Sequence, residues 1–415
     1  MKTTLKLIAI RFAFLISTLF VFFFNNGAFS FFYYFQKYTH QYQINLVLWF
    51  GRSVLGMFDL AATFNGSGDT TYSYVQLLFI AIIALAGTLV WSALDRKRKS
   101  HEQLLYWLIA MLRFYVGFML IHYGLAKLNN GQFPGPDAYT MSVAYGDFSP
   151  MGLAWRFLGF SEGYKAFMFI AEMMGILLLF RRTATIGAFL CLMTCLNIMA
   201  INYFFDVPVK LLSTALVTMC LIILSPNFIR LFNFFFLGKT TVLDPINPPI
   251  FPKRWMRVTK EVFKYSMIFF CAAAPIVGTL VASLDSKPLK KSSIYNRYDV
   301  AKINWTNGVP IASLTYFVDH WKYIGLDKSD HAFINYGQPE NLYCTIAVDE
   351  KAKTLTVAFK DKPEKYPLKY RLYAGDSLEV KGNLLGKEVN MKLTKKEFEL
   401  TKQSFHWINE RPYNR

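Results

Sequence analysis

Charge is scarce in this chain. Only 17% of its 415 residues are charged, while 54% are hydrophobic and 40 are Phe. Soluble proteins carry about 25% charge, and a soluble core of this size cannot hide so much apolar surface, so lipid is the expected solvent. Acidic residues are scarcer than basic ones, 27 against 45, which leaves a net charge of +18. The basic residues collect on no single face, as a nucleic-acid reader would require. They sit in short runs between apolar stretches, the positive-inside pattern, and nucleic acid is not an expected partner. Cysteine is sparse too: Cys191, Cys195, Cys220 and Cys271 lie inside apolar stretches and only Cys344 lies in the tail, which excludes a disulfide framework there. The tail histidines His320, His331 and His406 lack metal-ligand spacing, so no metal site is expected. No phosphate-binding loop, dinucleotide fingerprint or HExxH occurs, and no internal repeat is evident. The apolar run Leu7 to Phe24 has no small-residue cleavage site before Asn25-Asn26, so it reads as a retained helix rather than a signal peptide.

What is present is a series of apolar runs near the length of about 20 residues that a bilayer requires. They occur at 7–24, 44–64, 74–94, 104–128, 163–180, 184–204, 208–225 and 262–284. This predicts a membrane all-α helical bundle of seven or eight transmembrane helices. The basic runs at 95–99, Arg181-Arg182 and 226–261 mark cytoplasmic loops, and the loops 129–162 and 205–207 are expected outside. Lys2, Lys6 and Arg11 place the N-terminus inside, which conflicts with eight full crossings. Segment 44–64 is the suspect, because Asn45, Arg52 and Asp59 recur every seven residues and make one helical face polar. We read it as a helix on the outer face; the alternative is a full crossing with its polar stripe buried. The bundle is therefore expected over 1–238, a Pro-rich cytoplasmic linker over 239–261 and a last crossing over 262–284. Residues 285–415 read as a small β-rich domain, sandwich or barrel-like, outside the cytoplasm. Its hairpin is expected at 342–348 and 354–359, with further strands at 368–373, 376–382 and 387–393. The protein is thus expected in the cell's inner membrane as a multi-pass chain.

Ionisable groups at bilayer depth are costly and need a reason. Arg113 and Glu172 lie near the middles of adjacent apolar runs and are expected to pair. The pair either locks two helices or serves a site. Asn197 falls at similar depth. His122, Lys127, Asn202, Asp206 and Lys210 mark a polar track toward the outer face; snorkelling lysines are the plainer reading. The long loop 129–162 contains Trp155 and aromatics suited to covering a flat ligand, although an aromatic belt looks the same. Cys191 and Cys195 share a helical face, and core packing is favoured over redox chemistry.

Arg113 followed by Gly124-Leu-Ala-Lys127, and Glu172-Met-Met-Gly175 followed by Leu177-Leu-Leu-Phe-Arg-Arg-Thr183, resemble the DoxX and DoxX-like family of bacterial membrane proteins. The likeness covers about a quarter of the chain, from Arg113 to about Pro226, and carries over Arg113, Lys127, Glu172, Gly175 and Arg181. Asn65-Gly-Ser-Gly-Asp-Thr-Thr71, Asp206-Val-Pro-Val-Lys210 and the ending Phe405 to Arg415 are similar to a longer Bacteroidetes-type subgroup with an added tail. The membrane domain of vitamin K-dependent carboxylases is a remoter likeness. The resemblance implies a membrane redox component that binds a quinone-type ligand, with Arg113, Glu172 and Lys127 as catalytic candidates; His122, from the polar track, is the fourth. Asn197, Asn202, Asp206, Lys210 and Trp155 are the ligand-binding candidates. Two alternatives stand beside it: a scaffold whose tail binds an envelope protein partner, or a small-solute or proton transporter.

Overall fold

A computed structural model of the chain describes residues 2–128, 132–243, 248–285, 294–306, 321–326, 331–337, 341–360, 363–373, 376–402 and 408. They fall into two compact units, Met1–Gly135 with Ser149–Asp285, and Pro136–Phe148 with Ser286–Arg415.

The first unit is helical: α1 Lys2–Phe23, α2 Phe32–Trp49, α3 Thr71–Leu94, α4 Glu102–Leu128, α5 Pro150–Phe160 and α6 Glu162–Met173. Then follow α7 Ile176–Leu179, α8 Ala184–Phe204, α9 Lys210–Leu224, α10 Phe228–Leu237, α11 Arg254–Ile268 and α12 Ala274–Asp285. Among the described residues, 6 helical stretches are long and apolar enough to cross a membrane: Thr4–Phe23, Thr71–Leu94, Glu102–Leu128, Ala184–Phe204, Lys210–Leu237 and Arg254–Leu284. α4 is the hub. It packs against α1, α6, α7 and α9, and Leu112, Tyr115, Val116, Phe118, Leu120 and Ile121 are buried on it.

Three expectations change. The run 163–180 is not one helix: α6 ends at Met173, and a short α7 follows after Met174 and Gly175. Gly175 sits there because α4 comes too close for a side chain: a Cβ on it would lie 2.9 Å from the Gly117 carbonyl oxygen. The run 44–64 is displaced. The helix starts at Phe32, finishes in a π-turn at Phe50–Val54, and leaves Asp59 outside it. Arg52, the middle of the supposed polar stripe, donates to the Leu60 carbonyl at 2.8 Å and so fixes the return of the chain. The linker 239–261 ends early, since α11 starts at Arg254, just past Pro252, where no proline blocks it.

The second unit is a closed antiparallel barrel of eight strands, paired in chain order with β8 closing on β1. The strands are β1 Arg297–Thr306, β2 Tyr323–Leu326, β3 His331–Asn335 and β4 Leu342–Asp349, then β5 Thr354–Phe359, β6 Lys365–Tyr373, β7 Ser377–Leu384 and β8 Lys387–Lys395. Closure gives every strand a partner on both sides, although β2 covers only the Arg297–Asp299 end of β1. Alternation fills the interior, with Cys344 and Ile346, Leu355 and Val357, Leu368 and Tyr370, and Val389, Met391 and Leu393 all buried. The expected hairpin is β4–β5, with Asp349 opposite Thr354. β1 to β3 were not expected: a bulge between Val300 and Lys302 shifts the phase of β1, so that Tyr298 and Val300 fall out of step with Ile303 and Trp305. The segment 136–148 joins this unit rather than the bundle, and Tyr139 packs its ring on Phe333 and Tyr343, with centroids 5.2 and 6.0 Å apart. Hydrogen bonding to Tyr139 and burial push the Tyr343 phenol up to about 12. Burial alone does the same to the Cys344 thiol, also to about 12.

Candidate functional site

Two glycines set the register between α4 and α6. A Cβ on Gly117 would lie 3.0 Å from the Gly175 carbonyl oxygen, and one on Gly124 would lie 3.5 Å from Glu172 Cβ. Glu172 therefore stands opposite Gly124, and the nearest cation along α4 is Lys127, one turn farther on. Arg113 is eleven positions back, about 16 Å along the axis at 1.5 Å per residue. The ion pair that forms is Lys127 Nζ to Glu172 Oε2 at 2.6 Å, with both side chains 4% exposed. The Arg113–Glu172 pair expected from the sequence is absent. Instead, Arg113 Nε donates to the Leu178 carbonyl at 2.8 Å and satisfies a backbone acceptor of α7.

Lys127 is fully engaged. Besides Glu172, its ammonium donates to the Tyr123 carbonyl at 3.3 Å and to Gln132 Oε1 at 3.2 Å. That uses all three protons. Phe133 sits 5.5 Å from the same nitrogen in a cation–π contact, and it holds a positive φ of 59°, rare for a bulky residue. The Phe133 ring meets Trp155 edge-on at 4.9 Å. Gly159 lets this turn lie on α5, because a Cβ there would come within 2.4 Å of the Pro134 carbonyl oxygen. Ser149 caps α5 by accepting from the Gly152 N–H, and Ser161 caps α6 by accepting from the Tyr164 N–H.

The pair lies on the wall of a mostly apolar cavity of about 490 Å³. α5 contributes Met151, Trp155 and Leu158; α6 contributes Tyr164, Phe167, Met168, Ala171 and Glu172. α8 supplies Met193, Thr194, Asn197, Ile198, Ile201 and Asn202, and α9 supplies Leu212, Ser213 and Leu216. Gly66 and Val207-Pro-Val209 form the rim. Such a volume suits a small organic ligand, for which pockets run from about 300 to 1,000 Å³.

The rim joins two sequence motifs that lie far apart in the chain. The Gly68 N–H donates to the Pro208 carbonyl at 2.9 Å. Asp69 accepts from the Lys210 N–H at 2.7 Å and from the Leu211 N–H at 3.0 Å. Asp69 thus caps α9 and pins the loop 65–70 beside the cavity. Lys210 completes the knot, 2.7 Å from Asp206 and 4.0 Å from Asp69.

The structure brings together Lys127, Glu172, Asn197, Asn202 and Trp155 around one space. It leaves out four expected residues. Arg113 anchors α7, His122 faces the backbone of Cys271 in the last long helix, and Asp206 and Lys210 serve the rim without lining the cavity. Sequence reasoning missed Tyr123, Gln132, Phe133, Thr194 and Asp69. Tyr123 sits one turn before Lys127, and Thr194 three residues before Asn197, so helical spacing from residues already singled out was the available signal. Cys191 and Cys195 are buried in the apolar core. Among the described residues no cluster of His, Cys, Asp and Glu is arranged to hold a metal ion.

No family model matches the chain, and no solved structure matches it. A stretch of 116 residues, 28% of this chain, is 40% identical to the uncharacterized protein YwoB of Bacillus subtilis (strain 168) and covers 73% of that protein. On that similarity, the chain belongs to the family of YwoB.

Proposed function

We propose that the protein is a DoxX-like multi-pass membrane protein of the inner membrane and that it works as a redox component binding a quinone-type ligand in the helical cavity. The observation that carries this reading is the apolar cavity of about 490 Å³ with the Lys127–Glu172 pair buried in its wall. A purely structural pair gains nothing from facing a space, and a wholly apolar ligand needs no ions. A flat ring with a polar head fits both features. Tyr123, Phe133, Trp155, Tyr164 and Phe167 provide faces and edges for the ring. Such a ligand supplies two-electron, two-proton chemistry when bound. This chain's part is to seat the ring, keep water from it, and hold a carboxylate and an ammonium at its head.

The topology that fits counts the α6–α7 run as a seventh crossing beside the six long stretches and keeps α2 at the surface. α2 exposes Tyr33, Tyr34, Phe35, Tyr38, Tyr42 and Trp49, as an interfacial helix does. The basic loop 95–99 then faces the cytoplasm and the barrel lies outside it.

The test is to purify the full chain in lipid nanodiscs, extract with organic solvent and quantify quinone by mass spectrometry. Near-stoichiometric quinone is expected, with loss in Ala171→Phe, which fills the cavity beside Glu172. Quinone at the level of empty nanodiscs in both proteins refutes the reading.

A further inference from the structure

The polar atoms left over at the Lys127–Glu172 pair specify what kind of head group fits there. All three ammonium protons of Lys127 are already donated, to Glu172 Oε2, Gln132 Oε1 and the Tyr123 carbonyl. Lys127 therefore has no proton left for a ligand. The other carboxylate oxygen, Glu172 Oε1, has no hydrogen-bond partner among the described residues, and Glu172 lines the cavity while being 3% exposed overall. A carboxylate oxygen that opens into an apolar cavity without a protein donor is costly. Gln132 also lines the cavity, and because its oxygen is turned to Lys127, its amide nitrogen is the half left without a partner among the described residues. The vacant positions at the head of the cavity are thus one strong anionic acceptor and one neutral donor, both hung on the same ammonium.

A hydroxyl group satisfies both: it donates to Glu172 Oε1 and accepts from the Gln132 amide. A carbonyl or ether oxygen can only accept, and it would set a lone pair against the carboxylate. We infer that the cavity selects an aromatic hydroxyl compound, of which the reduced, quinol form of a quinone is one case, over the matching carbonyl or ether. This rests on reading the cavity as a ligand site, and it adds the protonation pattern of the ligand's head. Glu172 acts as the hydrogen-bond acceptor, and Lys127 acts through Glu172 by keeping it ionised and in place.

A pair of redox-inert probes separates the two readings. 2-Naphthol and 2-methoxynaphthalene differ in one donated hydrogen bond. Their binding to the full chain in nanodiscs is measured by equilibrium dialysis against empty nanodiscs, which corrects for partition into lipid. A hydrogen bond to a charged group corresponds to roughly tenfold or more in affinity, so 2-naphthol is expected to bind at least about tenfold tighter. In Glu172→Gln, the new amide oxygen stays with Lys127 and the amide nitrogen turns to the ligand, so the preference should vanish. Equal binding of both probes to the wild type, or a preference for the ether, overturns the inference and leaves the cavity as a ligand site. Failure of both probes to bind the wild type removes the ligand site itself, and the inference with it. The wild-type comparison alone decides the matter should Glu172→Gln fail to fold.

Discussion

Lys127 and Glu172 should show a large coupling energy in a double-mutant cycle, and Arg113 and Glu172 should show none. At an effective dielectric of about 20, unit charges 2.6 Å apart attract by roughly 6 kcal/mol. Desolvating two ions cancels much of that, so the intact pair is worth little against apolar side chains of the same size. Removing one partner is different, because it strands the other charge in a site that is 4% exposed. Lys127→Met and Glu172→Leu should therefore each cost about 3–5 kcal/mol, and the double variant should recover most of the loss. The coupling should then exceed about 2 kcal/mol. Arg113→Met should cost about 1–3 kcal/mol by leaving the Leu178 carbonyl without its donor, and should add to Glu172→Leu within about 0.5 kcal/mol. The assay is thermal unfolding of the purified protein in one fixed detergent. Additivity of Lys127→Met and Glu172→Leu would refute the pairing. Coupling of Arg113 to Glu172 would restore the pair expected from the sequence.

Other outcomes follow from the rim, the barrel-side topology and one histidine. Asp69→Ala removes the acceptor for two N–H groups at the start of α9; it should cost about 1–2 kcal/mol in the same melt, and an unchanged melting temperature would show that the cap is idle. His101 Nε2 accepts from Arg11 Nε at 2.8 Å, and burial together with the Arg11 charge holds its imidazole below the usual range. Its folded state binds fewer protons than its unfolded one, so stability is full above about pH 6.5, the unfolded value, and falls as pH drops through the folded value. The wild type should melt lower at pH 5 than at pH 7.5, His101→Phe should show a smaller difference, and equal slopes would clear His101 of the effect. A reporter fused after Arg415 should be active only in the extracytoplasmic form; cytoplasmic activity would invert the assigned topology.

How much of this was legible in the sequence depends on which physical variable each feature uses. Helix existence depends on apolar length, and the six long stretches read directly. The break at Gly175 depends on a neighbouring backbone, Gly117 on α4, and nothing within Met173-Met-Gly-Ile176 announces it. The choice of partner for Glu172 depends on helix register. Counting from the midpoint of an apolar run set it level with Arg113, but the glycines of α4 place it beside Lys127. In the barrel, alternation revealed β4 to β8, while the bulged β1 and the short β2 and β3 carried too weak a period. The rim was visible as two unusual motifs, 65–71 and 206–210, whose meeting only the fold could show.

The glycine register itself can be tested, because the two contacts differ in how much room they leave. At Gly124 an added Cβ meets Met173 Sδ at 3.4 Å and Glu172 Cβ at 3.5 Å, which is ordinary contact with side chains that can shift. At Gly175 it meets the Gly117 carbonyl oxygen at 2.9 Å and Leu120 Cβ at 3.1 Å, where the backbone of α4 cannot yield. Gly124→Ala should therefore leave stability within about 0.5 kcal/mol and preserve the Lys127–Glu172 coupling, whereas Gly175→Ala should cost about 1–3 kcal/mol by overpacking. Gly124→Leu should push α6 off α4 and cut the coupling below about 0.5 kcal/mol, because an ion pair of 2.6 Å does not survive a shift of a side-chain diameter. The measurement is the same cycle repeated in each glycine background. Full coupling in Gly124→Leu would mean that the register is set elsewhere, and the argument that α4 hands Glu172 to Lys127 would fail.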